Sequence, residues 1–181
     1  MKSKNLAFSS VFLVLMILGT YVKMLVPVVP ITFQPLFAVL TGLVLGKKHG
    51  ALTITAYIAL GLIGLPVFSG GGGVEYIYSP TFGFILGFLL CAFGAGAILE
   101  ILDKTLVAHL ISAIVGVVLI YIVGIPYLYF IQNVYNGATR PFFYYIAVFA
   151  LPYLPKDVLS AIVAGVLAHG LSRSNIFGID V

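Results

Sequence analysis

Long stretches of this chain carry no charged side chain, and nothing constrains its folding more. No Asp, Glu, Lys or Arg occurs from Thr81 to Leu99 or from Leu106 to Ile125. Within these stretches the apolar residues form no single stripe, so helices built from them are apolar all round, as helices solvated by lipid are. Only 8% of the 181 residues are charged, against about a quarter in soluble domains. A soluble globular fold is therefore excluded. The net charge of +4 would suggest nucleic acid in a soluble protein. Here the bases are scattered among loops, which points to membrane topology instead. Cys91 is the sole cysteine; it allows no intrachain disulfide and reads as a small packing residue.

The pattern predicts an all-α integral membrane protein, a single transmembrane domain over residues 1–181. Six helices are expected, at Leu6–Val22, Gln34–Gly46, Ala51–Gly64, Thr81–Leu99, Leu106–Ile125 and Pro155–Leu171. The first apolar run ends at Gly19-Thr-Tyr-Val-Lys23 without a cleavage pattern and reads as a retained helix. The second and third helices are short for a hydrocarbon core about 30 Å thick. They need irregular backbone shielded within the protein, which the Pro/Gly-rich loops Pro27–Pro35 and Gly64–Gly73 supply. With the N-terminus inside, Lys2, Lys4, Lys47, Lys48, Lys104 and Arg173 are cytoplasmic, and Lys23, Arg140 and Lys156 lie outside. This distribution obeys the positive-inside rule in a multi-pass cell-membrane protein with both termini cytoplasmic.

The apolar segment Phe142–Leu151, which contains Tyr145, is too short to span and is expected to be re-entrant or interfacial. Of the 11 tyrosines, only Tyr57 and Tyr121 fall well inside predicted spans; the others lie at or beyond the outer ends. Aromatic belts normally form at both interfaces. This one-sided excess suggests an aromatic-lined pocket opening outward, or simply aromatic outer loops.

Lys156 and Asp157 head the last helix. An acid there complements the helix dipole and Pro155 suits a first helical position, but the dipole disfavours the adjacent Lys156. A ligand bearing both donors and acceptors accounts for the pair, and ionisable groups in a membrane protein point to binding or transport. Thr32 and Gln34 can likewise donate and accept towards a ligand; equally, Thr32 suits the N-cap of the second helix. Ser79 and Thr81, astride Pro80, read as caps of the fourth helix that can also line a site. Arg140 can meet a ligand carboxylate bidentately, or remain a solvated loop charge.

Ser69-Gly-Gly-Gly-Gly73 is no phosphate loop, because no Gly-Lys-Ser/Thr opens a helix after it. Close backbone packing or loop flexibility fits better. His49, His109 and His169 lack metal-ligand spacing and are expected at the cytoplasmic interface. No catalytic motif occurs, so a transport or binding protein is expected rather than an enzyme, with no cofactor.

Five segments occur in register: Pro27-Val-Val-Pro-Ile-Thr-Phe-Gln-Pro35 with Leu40–Gly46, Tyr57–Phe68, Gly70–Gly73, Pro80–Phe88 and Leu151-Pro-Tyr-Leu-Pro-Lys-Asp157. Together they resemble the BioY family, the biotin-specific S components of energy-coupling-factor (ECF) vitamin transporters. The resemblance implies a six-helix bundle that binds biotin at its outer side. It also implies a transmembrane coupling subunit and paired ATPases as partners, and no nucleic acid. The family commonly reads Pro-Gly-Asp-x-x-Lys where this chain has Pro155-Lys-Asp-Val-Leu-Ser160, so Asp157 carries over directly and Lys156 stands as a relocated base. The family's Ala-x-x-x-Ala docking pattern meets Ala7 and Val11 here. Asp157 is expected at the ureido end, with Arg140 and Lys156 competing for the tail carboxylate. The alternatives are an ion- or proton-coupled secondary transporter of a small organic solute, and a structural membrane protein.

Overall fold

The computed structural model describes residues 3–24 and 29–174. Lys2, Pro27 and Val28, which the sequence reading used, lie outside the described residues. Six helices follow in order: α1 (Ser3–Tyr21), α2 (Gln34–Leu62), α3 (Phe82–Ile101), α4 (Leu106–Phe130), α5 (Phe142–Phe149) and α6 (Leu154–Arg173). Two short strands, β1 (Lys23–Met24) and β2 (Ile31–Thr32), pair antiparallel between α1 and α2. Four helical stretches are long and apolar enough to cross a membrane: Lys4–Tyr21, Phe82–Ile101, Leu106–Tyr135 and Leu154–Arg173.

The expected pair of short helices is present as the two arms of α2. Gly46 breaks the helix at φ 73°, ψ 173°, a backbone that L side chains rarely adopt. The chain doubles back there, so that a Cβ on Gly50 would lie 3.1 Å from Gly42 Cα. Along an uninterrupted helix those residues would sit about 12 Å apart. The turn sits beside the end of α3, where Glu100 Oε2 pairs with Lys47 Nζ at 2.6 Å. Asn5 reaches His49 at 3.3 Å, placing the start of α1 at this same end of the bundle. The connecting segments 29–33 and 63–81, and segment 131–153 with α5, gather at the opposite, loop-rich end.

Small residues set the helix spacing. α3 packs against both α2 and α4, and α6 against the same two helices. A Cβ on Gly42 would strike the Ala92 carbonyl, and one on Gly87 would lie 2.9 Å from Ile120 Cα. These backbones touch because nothing larger than hydrogen stands between them. Cys91 is fully buried in this contact, as expected of a packing residue.

Several boundaries and roles differ from the sequence reading. α4 does not stop at Ile125: it runs through Pro126 to Phe130 and continues as a π-helical turn, Ile131–Tyr135. An apolar helix keeps its register past proline when local backbone adjustments re-satisfy the freed groups. Phe33, not Thr32, precedes α2, and no side chain caps that helix. Thr81 flanks α3 without capping it. His109, near the start of α4, is packed inside the bundle at 1% exposure. Its ring stands 5.1 Å from that of His169, and its Nδ1 lies 2.7 Å from the Thr105 carbonyl. The expected short segment is α5, eight residues long and unable to span.

Candidate functional site

A narrow cavity of about 50 Å³ lies at the loop-rich end, among segment 29–35, α3, α4, α5 and α6. Phe84, Phe88, Ile85, Ile120 and Phe149 supply apolar wall. A wider cleft continues from it through Pro30, Ser69 and Thr81 towards Ser79 and Glu75.

The polar groups converge from four elements. Pro155 starts α6 and places Asp157 in its first turn, 5% exposed. Tyr121, on α4, donates to Asp157 Oδ2 at 2.5 Å. Asp157 Oδ1 contacts the Lys156 ammonium as an ion pair but receives no aligned hydrogen-bond donor. Oδ1 has almost no exposed surface and lies against that ammonium. Lys156 also donates to the Thr32 carbonyl at 2.7 Å, tying α6 to the segment ahead of α2. Thr32 Oγ1 donates to Gln34 Oε1 at 3.2 Å, and Gln34 Nε2 donates to the Tyr57 hydroxyl at 2.7 Å. Tyr153 closes the cavity near Val29. Burial raises its pKa above the ordinary range, so the phenol stays protonated and donates to the Val29 carbonyl at 2.7 Å.

Asp157, Lys156, Thr32, Gln34 and Thr81 therefore meet in one cavity. Ser79 lies in the adjoining cleft, 2.8 Å from Thr81 Oγ1. Arg140 and Tyr145 are not brought there. The Arg140 guanidinium sits over the Tyr144 ring at 5.4 Å, and Tyr145 donates to Asn133 Oδ1 at 2.6 Å behind the cavity wall, in a buried cluster that includes Val29 and Phe149. Sequence reasoning missed Tyr121 as the partner of Asp157. The signal was its position: Tyr57 and Tyr121 are the two phenols well inside spans, where a polar group needs a partner.

A buried carboxylate, an adjacent ammonium, an oriented carboxamide and aromatic walls suit a small, mostly apolar ligand bearing N–H donors and a carbonyl. Residues 1–176 match the BioY family. This chain belongs to the BioY family. It is 35% identical over 170 residues to the probable biotin transporter BioY of Lysinibacillus sphaericus, covering 93% of this chain and 87% of that one. It is 32% identical to the biotin transporter BioY of Thermotoga maritima, covering 96% and 98%. The fold matches a crystal structure of the S-component for biotin from an ECF-type ABC transporter, with TM-score 0.83 and 27% identity over 95% of this chain and 92% of that one. Among BioY relatives the all-α bundle found here is thus the expected architecture.

Proposed function

We propose that this chain is the biotin-binding S component of an ECF-type ABC transporter. It captures biotin at the outer membrane face and delivers it to a transmembrane coupling subunit driven by two ATPases. The observation that carries the reading is the convergence of the Asp157–Lys156 ion pair and Gln34 in the lining of one largely apolar cavity. Biotin's ureido ring presents two N–H donors and one carbonyl, the complement of a carboxylate flanked by donors. Its thiophane ring and aliphatic tail suit the Phe84, Phe88 and Phe149 walls. The tail carboxylate then points to the cleft, where the Ser69, Ser79 and Thr81 hydroxyls lie. The excess of Lys and Arg at the end opposite the cavity supports an outward-facing site and cytoplasmic termini.

Calorimetric titration of the purified protein tests this. Biotin, a ring-N-methylated biotin and biotin amide are compared on the wild type and on Asp157→Asn. Tight binding of biotin without an ion gradient is expected, and no detectable binding sinks the proposal. Asp157→Asn is expected to erase the preference for biotin over the N-methylated ring and keep the preference over the amide. The reverse pattern would move Asp157 to the tail.

A further inference from the structure

Gln34 is 4% exposed and lines the cavity, so the orientation of its carboxamide decides whether the ligand meets a donor or an acceptor there. The two ends of a carboxamide have nearly the same shape, and the hydrogen-bond network decides which of them faces which partner. Here the network does so through a residue that does not line the cavity. Tyr57, on the second arm of α2, is fully buried, and its ring packs edge-on against Phe68 with centroids 5.5 Å apart. A phenol has one proton. Tyr57 donates it to the Val67 carbonyl at 2.9 Å, a partner that can only accept. The phenol oxygen must therefore accept from Gln34, and the Gln34 atom 2.7 Å away is Nε2. On the other side, Thr32 Oγ1 donates to Gln34 Oε1 at 3.2 Å; a hydroxyl can bond either end of a carboxamide, so Tyr57 alone discriminates. One Nε2 proton goes to Tyr57. The other makes no hydrogen bond to a protein acceptor among the described residues, and since Gln34 lines the cavity it is the donor available to a ligand there.

We propose that Tyr57 is a positioning residue that sets the hydrogen-bond polarity of the ligand site. By holding Gln34 with its N–H side available, it selects a ligand whose polar head carries a carbonyl acceptor and disfavours one with a donor in that place. This rests on reading the cavity as a biotin site. The selection works because a donor facing a donor leaves both unpaired after desolvation, which costs more than a lost hydrogen bond alone. A side chain remote from the ligand thus acts on specificity through one rotatable amide.

The test is a ratio of affinities, biotin over 2-iminobiotin, in which an imino donor replaces the ureido carbonyl. Tyr57→Phe frees the carboxamide to flip. It is expected to weaken biotin by about tenfold while weakening iminobiotin less, so the preference narrows. In a Gln34→Ala background, Tyr57→Phe is expected to change neither affinity. If Tyr57→Phe does not fold, 4-aminophenylalanine at position 57 keeps a donor for the Val67 carbonyl and offers a second N–H to Gln34. That substitution is expected to turn Oε1 inward and shift preference towards iminobiotin. Equal losses for both ligands, or the same loss with Gln34 already removed, would assign Tyr57 a packing role and overturn the proposal. Absence of biotin binding in the wild type would instead overturn the assignment of the ligand.

Discussion

The Tyr121 hydroxyl donates to Asp157 Oδ2 at 2.5 Å, joining α4 to the one buried carboxylate among the described residues. With Oδ2 held by Tyr121 and Oδ1 paired with Lys156, the carboxylate is fixed in the cavity lining. A hydrogen bond to a charged group contributes about 1.5–3 kcal/mol. Tyr121→Phe is therefore expected to weaken biotin binding by roughly ten- to a hundredfold. Calorimetry on Tyr121→Phe, Asp157→Asn and the double variant checks it, because residues acting as one unit give non-additive losses. Strictly additive losses would show that the phenol acts independently of the carboxylate.

Lys156 bridges the Asp157 carboxylate and the Thr32 carbonyl, so it fastens the segment ahead of α2 to the start of α6. Its side chain is 27% exposed, which reduces its contribution below that of a fully buried pair. Lys156→Met is expected to destabilise the fold by about 1–3 kcal/mol, read as a lower Tm in detergent. Adding Asp157→Asn should recover part of that stability without restoring biotin binding. An unchanged Tm in Lys156→Met would remove the fastening role.

Arg140 and Tyr145 engage Tyr144 and Asn133 away from the cavity. Arg140→Ala is accordingly expected to leave biotin affinity within about twofold, since a solvated loop charge interacts weakly with a distant ligand. A large loss of affinity for biotin but not for biotin amide would instead place the guanidinium on the tail carboxylate.

Glu100 holds the turn of α2 together. Beyond Gly46 the second arm begins with N–H groups that lack helical partners. Glu100 Oε1 accepts from Lys47 N at 3.3 Å, while Oε2 pairs with the same residue's ammonium. Glu100→Gln is expected to lower stability by about 0.5–1 kcal/mol, less in high salt, with biotin affinity unchanged. Thermal unfolding at two salt concentrations measures this, and a salt-independent loss would contradict the ion-pair component.

Much of the architecture was legible because the signals are local. An uncharged run of about twenty residues can only be a helix solvated by lipid, and Gly46 marks a turn because few other residues adopt its backbone. Asp157 stood out since a carboxylate in so apolar a chain demands a partner or a purpose. The run through Pro126 was not legible: proline breaks most helices in water, and only the surrounding bundle shows that it does not do so here.

What the sequence by itself determined is the solvent each segment faces, a property summed residue by residue: a membrane bundle, its spans, and a charged pair at the head of the last helix. What only the tertiary structure decided is who touches whom. Tyr121 lies 36 residues from Asp157, and Tyr57 lies 23 from Gln34. Their meeting depends on the rotation and spacing of helices, set by contacts such as Gly42 against Ala92 and Gly87 against Ile120. Hydrogen bonds are directional and short, so a few degrees of helix rotation separate a residue that serves the ligand from one that does not.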